Sequence, residues 1–189
     1  MLVVVEYKMT AFQRASRLRL VIFDVDGVLT DGGVYIGAGG ELMKRFCIKD
    51  GMGITLLRRG GIKTAIITGR RSEIVQQRAE ELRIDIVRQG CQDKRLAYRE
   101  LKKELSLSDE EIGYIGDDLL DLPVLLQAGF SAAPADAAAE IREAAQLVTG
   151  EKGGYGAVRE ISEFILKAQN KWEELIAGYR NTSITETPA

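Results

Sequence analysis

From Leu18 to Phe23 the chain carries a short apolar run that stops abruptly at Asp24-Val25-Asp26-Gly27, and the pattern recurs down the sequence. Ile62 to Thr68 closes on Thr68-Gly69-Arg70, Ile84 to Arg88 on Gln89-Gly90, and Ile112 to Ile115 on Gly116-Asp117-Asp118, while a weaker run spans Phe130 to Ala133. Runs this short and this continuously apolar read as strands buried on both faces. Helical patterns lie between and after them: Gly53 to Arg59, Ser72 to Leu82, Lys94 to Leu105, Leu119 to Gln127 and Ala137 to Ala145. Strands alternating with helices predict an α/β fold, a doubly wound parallel sheet whose ligands collect beyond the carboxyl ends of the strands. The polar strand endings should therefore converge on one crevice.

Two segments stand outside the alternation. Residues 33–46 place the β-prone pieces Val34-Tyr35-Ile36 and Leu42-Met43 around the turn-rich Gly37-Ala38-Gly39-Gly40, which predicts a β-hairpin flap beside the first acids. The other is an amphipathic helix expected from Val158 to Ile176, preceded by Gly153-Gly154-Tyr155-Gly156. The expected organisation is an N-terminal extension over 1–17, one domain over 18–177, and a frayed, disordered tail over 178–189.

With 189 residues, 46% of them hydrophobic, the chain can bury the core of one domain. A formal net charge of -2 supplies no basic field, so neither nucleic acid nor a membrane surface is an expected partner. The apolar run Leu2 to Val5 is broken by Glu6 and Lys8, too short for a signal segment or a membrane span. Cys47 and Cys91 are too few for a secreted disulfide scaffold and read as reduced thiols, which points to the cytoplasm. There is no histidine, so any acid/base or metal chemistry must use other groups.

A strand directs Asp24 and Asp26 to the same side, where their charges repel. A divalent cation relieves that repulsion, and Mg²⁺ favours such hard oxygen ligands together with waters and a phosphate. One acid pair alone would read as a helix cap or a turn; a second, Asp117-Asp118, at another parallel strand end favours a metal site. With charge so held, Asp24 can attack phosphorus and divide hydrolysis into formation and breakdown of an acyl phosphate. Asp26 suits the acid that protonates the leaving oxygen and later activates water. Thr68 and Lys94 could hold the transferring phosphoryl oxygens.

These residues resemble the haloacid dehalogenase superfamily over most of the chain. Asp24-Val25-Asp26-Gly27-Val28-Leu29-Thr30, Thr68-Gly69-Arg70, Lys94 and Gly116-Asp117-Asp118-Leu119-Leu120-Asp121 are similar to its four motifs in the right order. The resemblance implies Asp24 as nucleophile and Mg²⁺ ligand, Asp26 as acid/base and ligand through its backbone carbonyl, and Asp117 as the remaining protein ligand. Thr68 and Lys94 would hold phosphate, with Asp118 and Asp121 supporting the ligands from behind.

Asp24 to Thr68 is 44 residues and Thr68 to Lys94 is 26, so no cap domain fits between the motifs. Among capless members the chain is similar to the 3-deoxy-D-manno-octulosonate 8-phosphate phosphatases, over Asp24 to Gly33, Phe46 to Gly53, Ile66 to Arg70, Gln89-Gly90 and Gly153 to Glu160. That resemblance implies a phosphorylated sugar acid as substrate, met by Asp26, Lys94, Cys47, Ile48, Lys49, Asp50, Gly51, Arg70 and Arg78. Thr55 stands where some members carry a basic residue. It also implies a role in lipopolysaccharide precursor synthesis and a homotetramer held by the flap, with the glycine-rich tail approaching a neighbouring site. Deleting the chain from Gly150 would then spare the acid cluster, whereas a C-terminal helix packed on its own sheet would make the deletion destructive.

Other readings stay open at this level. A nine-carbon sialic-type acid phosphate would need a similar pocket. A phospho-aspartate receiver also pairs acids with Thr and Lys, but in another order and without a late Asp-Asp pair. A silent assembly domain would not need Asp24, Asp26, Lys94 and Asp117 intact.

Overall fold

The computed structural model describes residues 9–181. The run Leu2 to Val5 and the tail beyond Asn181 lie outside the described residues. The elements in order are α1 (Ala11–Ala15), β1 (Leu20–Phe23), β2 (Tyr35–Gly37), β3 (Gly40–Met43), α2 (Ile48–Arg59), β4 (Lys63–Thr68), α3 (Glu73–Glu81) and β5 (Ile86–Gln89). There follow α4 (Lys94–Glu104), a 3-10 turn (Asp109–Glu111), β6 (Ile112–Ile115), α5 (Leu122–Leu125), β7 (Phe130–Ala133), α6 (Ala139–Ala144), β8 (Leu147–Val148), α7 (Ala157–Ala168) and α8 (Trp172–Asn181).

The six-stranded sheet has the order β5-β4-β1-β6-β7-β8 and is parallel throughout. β1 lies inside it, with Phe23 paired to Ile66 of β4 on one side and to Ile115 of β6 on the other. Its residues alternate between two cores: Val21 and Phe23 join Ile54, Leu57 and Ile161 on one face, while Leu20 and Ile22 join Tyr98, Leu101 and Ile141 on the other. Burial on both faces is the physical reason that the strand reads as an unbroken apolar run. Consecutive connections leave β1 toward β4 and return past it to β6, so the carboxyl ends of β1, β4 and β6 meet where the strand order reverses.

Several elements depart from the sequence reading for identifiable reasons. Helix α2 begins at Ile48, not Gly53. Two helical glycines argue against that start, since each costs about 1 kcal/mol relative to alanine. At Gly53, however, a Cβ would stand 2.9 Å from Ser162 Oγ and 3.0 Å from Arg159 Cα. The missing side chain is what lets α2 lie against α7. The long C-terminal helix is divided in two, because Asn170 takes a left-handed φ of 56° and Lys171 Nζ donates to Gly60 O at 2.6 Å. The second helix, α8, continues to Asn181, into the stretch expected to be a frayed tail.

The helical reading of Leu119 to Gln127 shrinks to α5, which opens with Pro123 near its start. The two-residue β8 is too short to show a period. Helix α1 lies within the expected N-terminal extension, opened by a capping box between Thr10 and Gln13. Its Ala15 is fully buried and Phe12 meets the Phe164 ring edge-on at 5.7 Å.

Candidate active site

A cavity of about 270 Å³ opens beyond the strand ends, lined by Asp24, Asp26, Gly32, Thr68, Gly69, Arg70, Lys94, Asp117, Asp118, Leu120 and Asp121. Its residues come from every motif, because each follows directly on β1, β4 or β6 or opens α4. Asp24 is held by its own backbone, whose N–H donates to Ile115 O at 2.9 Å. Lys94 is 4% exposed and reaches Asp24 Oδ2 at 2.9 Å and Asp121 Oδ1 at 2.6 Å. Burial pushes its ammonium pKa down, and the two carboxylates more than offset this, so the group is held above its ordinary value.

Asp24, Asp117 and Asp121 bring carboxylate oxygens within 4.8 Å of one another. Their hydrogen bonding separates them. Asp121 accepts from Lys94 Nζ at 2.6 Å, Tyr114 OH at 2.5 Å, Asp117 N at 3.0 Å and Asp118 N at 3.2 Å. Its lone pairs are occupied. Asp24 Oδ1 and Asp117 Oδ1, by contrast, are buried atoms without a hydrogen-bond partner, and among the described residues only Arg78 Nε shares that condition.

The Asp24 carboxyl is pushed up to about 6 by burial, with the Asp121 charge adding to it. That of Asp117 is pushed up to about 8 by burial, then by Asp24 and Asp121. Two desolvated carboxylates with unmet acceptors are what a bound cation would satisfy, and hard oxygens suit Mg²⁺. The donor set therefore fits the metal. Gly27 makes the approach possible: at φ +87° a Cβ there would lie 1.9 Å from Asp117 Oδ2.

Asp26 faces the same cavity, paired with Lys44 and 3.7 Å from Arg70 Nε. Lys44 and Glu41, both from the flap side, escaped the sequence reading. The signal was present as charges, Glu41, Lys44 and Arg45, toward the end of an otherwise apolar and glycine-rich hairpin. Tyr114 was missed because it sits inside an apolar strand; it is fully buried and donates to Asp121.

The expected substrate-contacting set on α2 and α3 is not gathered at this cavity. Asp50 is turned to α7, accepting from Gly156 N at 3.3 Å and Arg159 N at 2.8 Å, and burial raises its pKa. Thr55 Oγ1 donates back to Gly51 O at 3.0 Å. Cys47 precedes α2 without capping it, Ile48 is 79% exposed, and Lys49 lines a separate groove with Tyr155 and Arg159. Gly51 packs where a Cβ would stand 2.7 Å from Arg78 Nη2, and Arg78 itself pairs with Glu81 at 2.7 Å.

The glycine-rich segment before α7 also has a place in its own chain. A Cβ on Gly153 would meet Gly27 O at 1.8 Å, and Gly154 N donates to Val28 O at 3.0 Å. Within the chain these glycines close on the loop that carries Asp26.

The family model of haloacid dehalogenase-like hydrolases matches residues 77–161. The chain is 49% identical over 161 residues to the 3-deoxy-D-manno-octulosonate 8-phosphate phosphatase KdsC of Yersinia pestis, covering 85% of this chain and 86% of that one. The Escherichia coli K12 enzyme of the same name is 43% identical over the same shares. A solved structure of the Moraxella catarrhalis phosphatase, in complex with magnesium ion, phosphate ion and a KDO molecule, is similar at 41% identity and a TM-score of 0.87, covering 89% of this chain and 97% of that one. The chain belongs to the 3-deoxy-D-manno-octulosonate 8-phosphate phosphatase family of the haloacid dehalogenase-like hydrolases.

Proposed function

We propose that the chain is a Mg²⁺-dependent phosphomonoesterase that hydrolyses 3-deoxy-D-manno-octulosonate 8-phosphate to the free sugar acid and phosphate. The observation that carries the reading is the pair of orphaned buried oxygens on Asp24 and Asp117, in a cavity that also holds Thr68 and Lys94. Asp24, Asp117 and the Asp26 backbone carbonyl would hold the ion, which when bound neutralises carboxylate and phosphate charge.

Asp24 then attacks phosphorus as the P–O bond to the sugar breaks, and Asp26 delivers a proton to the departing oxygen. Water hydrolyses the acyl phosphate with Asp26 taking its proton, which returns both carboxyl groups to their starting states. Lys94, anchored by Asp24 and Asp121, presents its remaining donor capacity to phosphoryl oxygens, and Thr68 offers a hydroxyl at the end of β4. Arg70, half exposed at the cavity wall, is the one guanidinium among the cavity's lining residues and would meet a sugar carboxylate there.

The further assignments are a homotetramer and a cytoplasmic location, with the product feeding lipopolysaccharide precursors. Exposed apolar flap residues, Ile36 at 75% and Leu42 at 68%, support burial by other copies. Both cysteines are free, and among the described residues no helix is long and apolar enough to cross a membrane. A phosphate-release panel with Mg²⁺ tests the substrate: the eight-carbon acid phosphate should exceed nine-carbon sialic-type acid phosphates and hexose phosphates in kcat/KM. A faster nine-carbon substrate would reassign the sugar, and no magnesium-dependent release from any of them would reject the enzyme.

A further inference from the structure

Lys44 follows β3 and lies almost wholly inside the protein, its side chain 1% exposed. Desolvation strongly disfavours an ammonium so placed unless opposite charges surround it. It has two, Asp26 Oδ1 and Glu41 Oε1, the latter at 2.9 Å. Glu41 also accepts from the Ser72 hydroxyl and stands 3.5 Å from Arg70 Nη2. The two cationic side chains, Lys44 and Arg70, thus face the two carboxyl groups of Asp26 and Glu41. Its backbone is fixed as well, because Phe46 forms an antiparallel bridge with Thr30 on the loop that follows Asp26.

A carboxylate turns readily about its last side-chain torsion. Here one oxygen is pinned from behind by a buried cation, and Oδ2 is left on the side of Arg70. We propose that Lys44 is a positioning residue for the reaction: the flap of the same chain latches Asp26 in the orientation from which it gives and takes its proton. This rests on the reading of Asp26 as acid/base. It makes the flap part of the catalytic apparatus in cis, whatever its outer strands pack against.

The chemistry supplies a readout that packing alone does not. Breaking the ester bond to a sugar oxygen needs a proton on the leaving group, whereas p-nitrophenolate leaves without one. Hydrolysis of the acyl phosphate on Asp24 needs the base in either case. With Lys44→Met, which keeps length and removes charge, kcat on the sugar acid phosphate should fall about 10- to 100-fold, part of the ~10²–10⁴-fold attributable to general acid/base catalysis. Its KM should stay within about threefold. Rapid-quench with p-nitrophenyl phosphate should show a burst of p-nitrophenolate as phosphoenzyme accumulates, and Lys44→Arg should restore most of the sugar-phosphate rate.

Equal losses on both esters with no burst, unchanged rates on both, or a Lys44→Met protein that does not fold would assign Lys44 to structure and overturn the proposal. Asp26→Asn run alongside separates the two ideas. If it shows the leaving-group dependence and Lys44→Met does not, the latch alone fails. If Asp26→Asn shows none, the acid/base reading fails and the latch with it.

Discussion

The floor of the cavity, at the ends of β1, β4 and β6, and an outer rim on α2 and α3, whose residues do not line it, hold their polar groups in different ways. On the floor, Asp121 is saturated by donors so that Lys94 is fixed, while Asp24 and Asp117 keep buried oxygens unpartnered. On the rim, Asp50 and Thr55 spend their capacity on the chain itself. The floor is therefore poised for ligands from outside. The rim, in one chain, is mostly architecture.

The largest effect should come from cutting away what supports the floor. Val158, Ile161, Ile165 and Leu166 of α7 are fully buried in the core shared with α2. Deleting residues from Gly150 onward should yield a protein without a cooperative thermal transition, read by circular dichroism and sedimentation. A truncation that melts cooperatively and still binds Mg²⁺ would show that the floor is independent of α7. Within the floor, Asp24→Asn should abolish phosphate release, on the scale of the ~10⁶-fold loss that removing a covalent nucleophile can cause. Its fold should survive, since one desolvated charge is removed and the shape kept. Near-normal turnover in that variant would move the nucleophile elsewhere.

A smaller and graded effect follows from the raised carboxyl groups. Both have folded pKa values above the ordinary 3.8, about 6 for Asp24 and about 8 for Asp117. Between pH 4 and 8 the metal-free folded protein thus binds more protons than the unfolded chain, and its stability falls as pH rises through that window. A cation at the two carboxylates removes that penalty. The rise in Tm on adding Mg²⁺ should therefore be greater at pH 8 than at pH 5.5, and Asp117→Asn should flatten the difference. A shift independent of pH would place the ion away from these groups.

The floor was far more legible in the sequence than the rim. Asp24, Thr68, Lys94 and Asp117 each sit at a strand end or helix start, and the parallel alternation alone brings such places together. Asp50 and Thr55 lie within a helix whose facing depends on its partner, and the glycines that admit α7 against α2 read locally as helix breakers. Lys44 and Glu41 belong to a hairpin whose placement over Asp26 is a tertiary fact. Tyr114 looked like core, and it is core, with one hydroxyl turned to Asp121.

The smallest of these effects concerns Arg78, where floor and rim come closest to exchanging roles. Its side chain is 13% exposed and pairs with Glu81, which is 67% exposed. The guanidinium lies 5.6 Å from the centre of the Phe46 ring, and its Nε is buried without a partner. One donor of a nearly buried cation is thus unspent, on a residue that does not line the acid cavity. If that donor serves a sugar carboxylate, Arg78→Ala should raise KM for the sugar acid phosphate by about tenfold, the scale of one charge-assisted hydrogen bond. The rate on p-nitrophenyl phosphate, which has no carboxylate, should change less than about twofold. Arg78→Met, which retains the packing against Phe46 and the space beside Gly51, should reproduce the KM effect without the fall in Tm expected from alanine. Equal losses on both esters that Met repairs would return Arg78 to the rim as a packing residue, and would leave Arg70 as the guanidinium that meets the substrate.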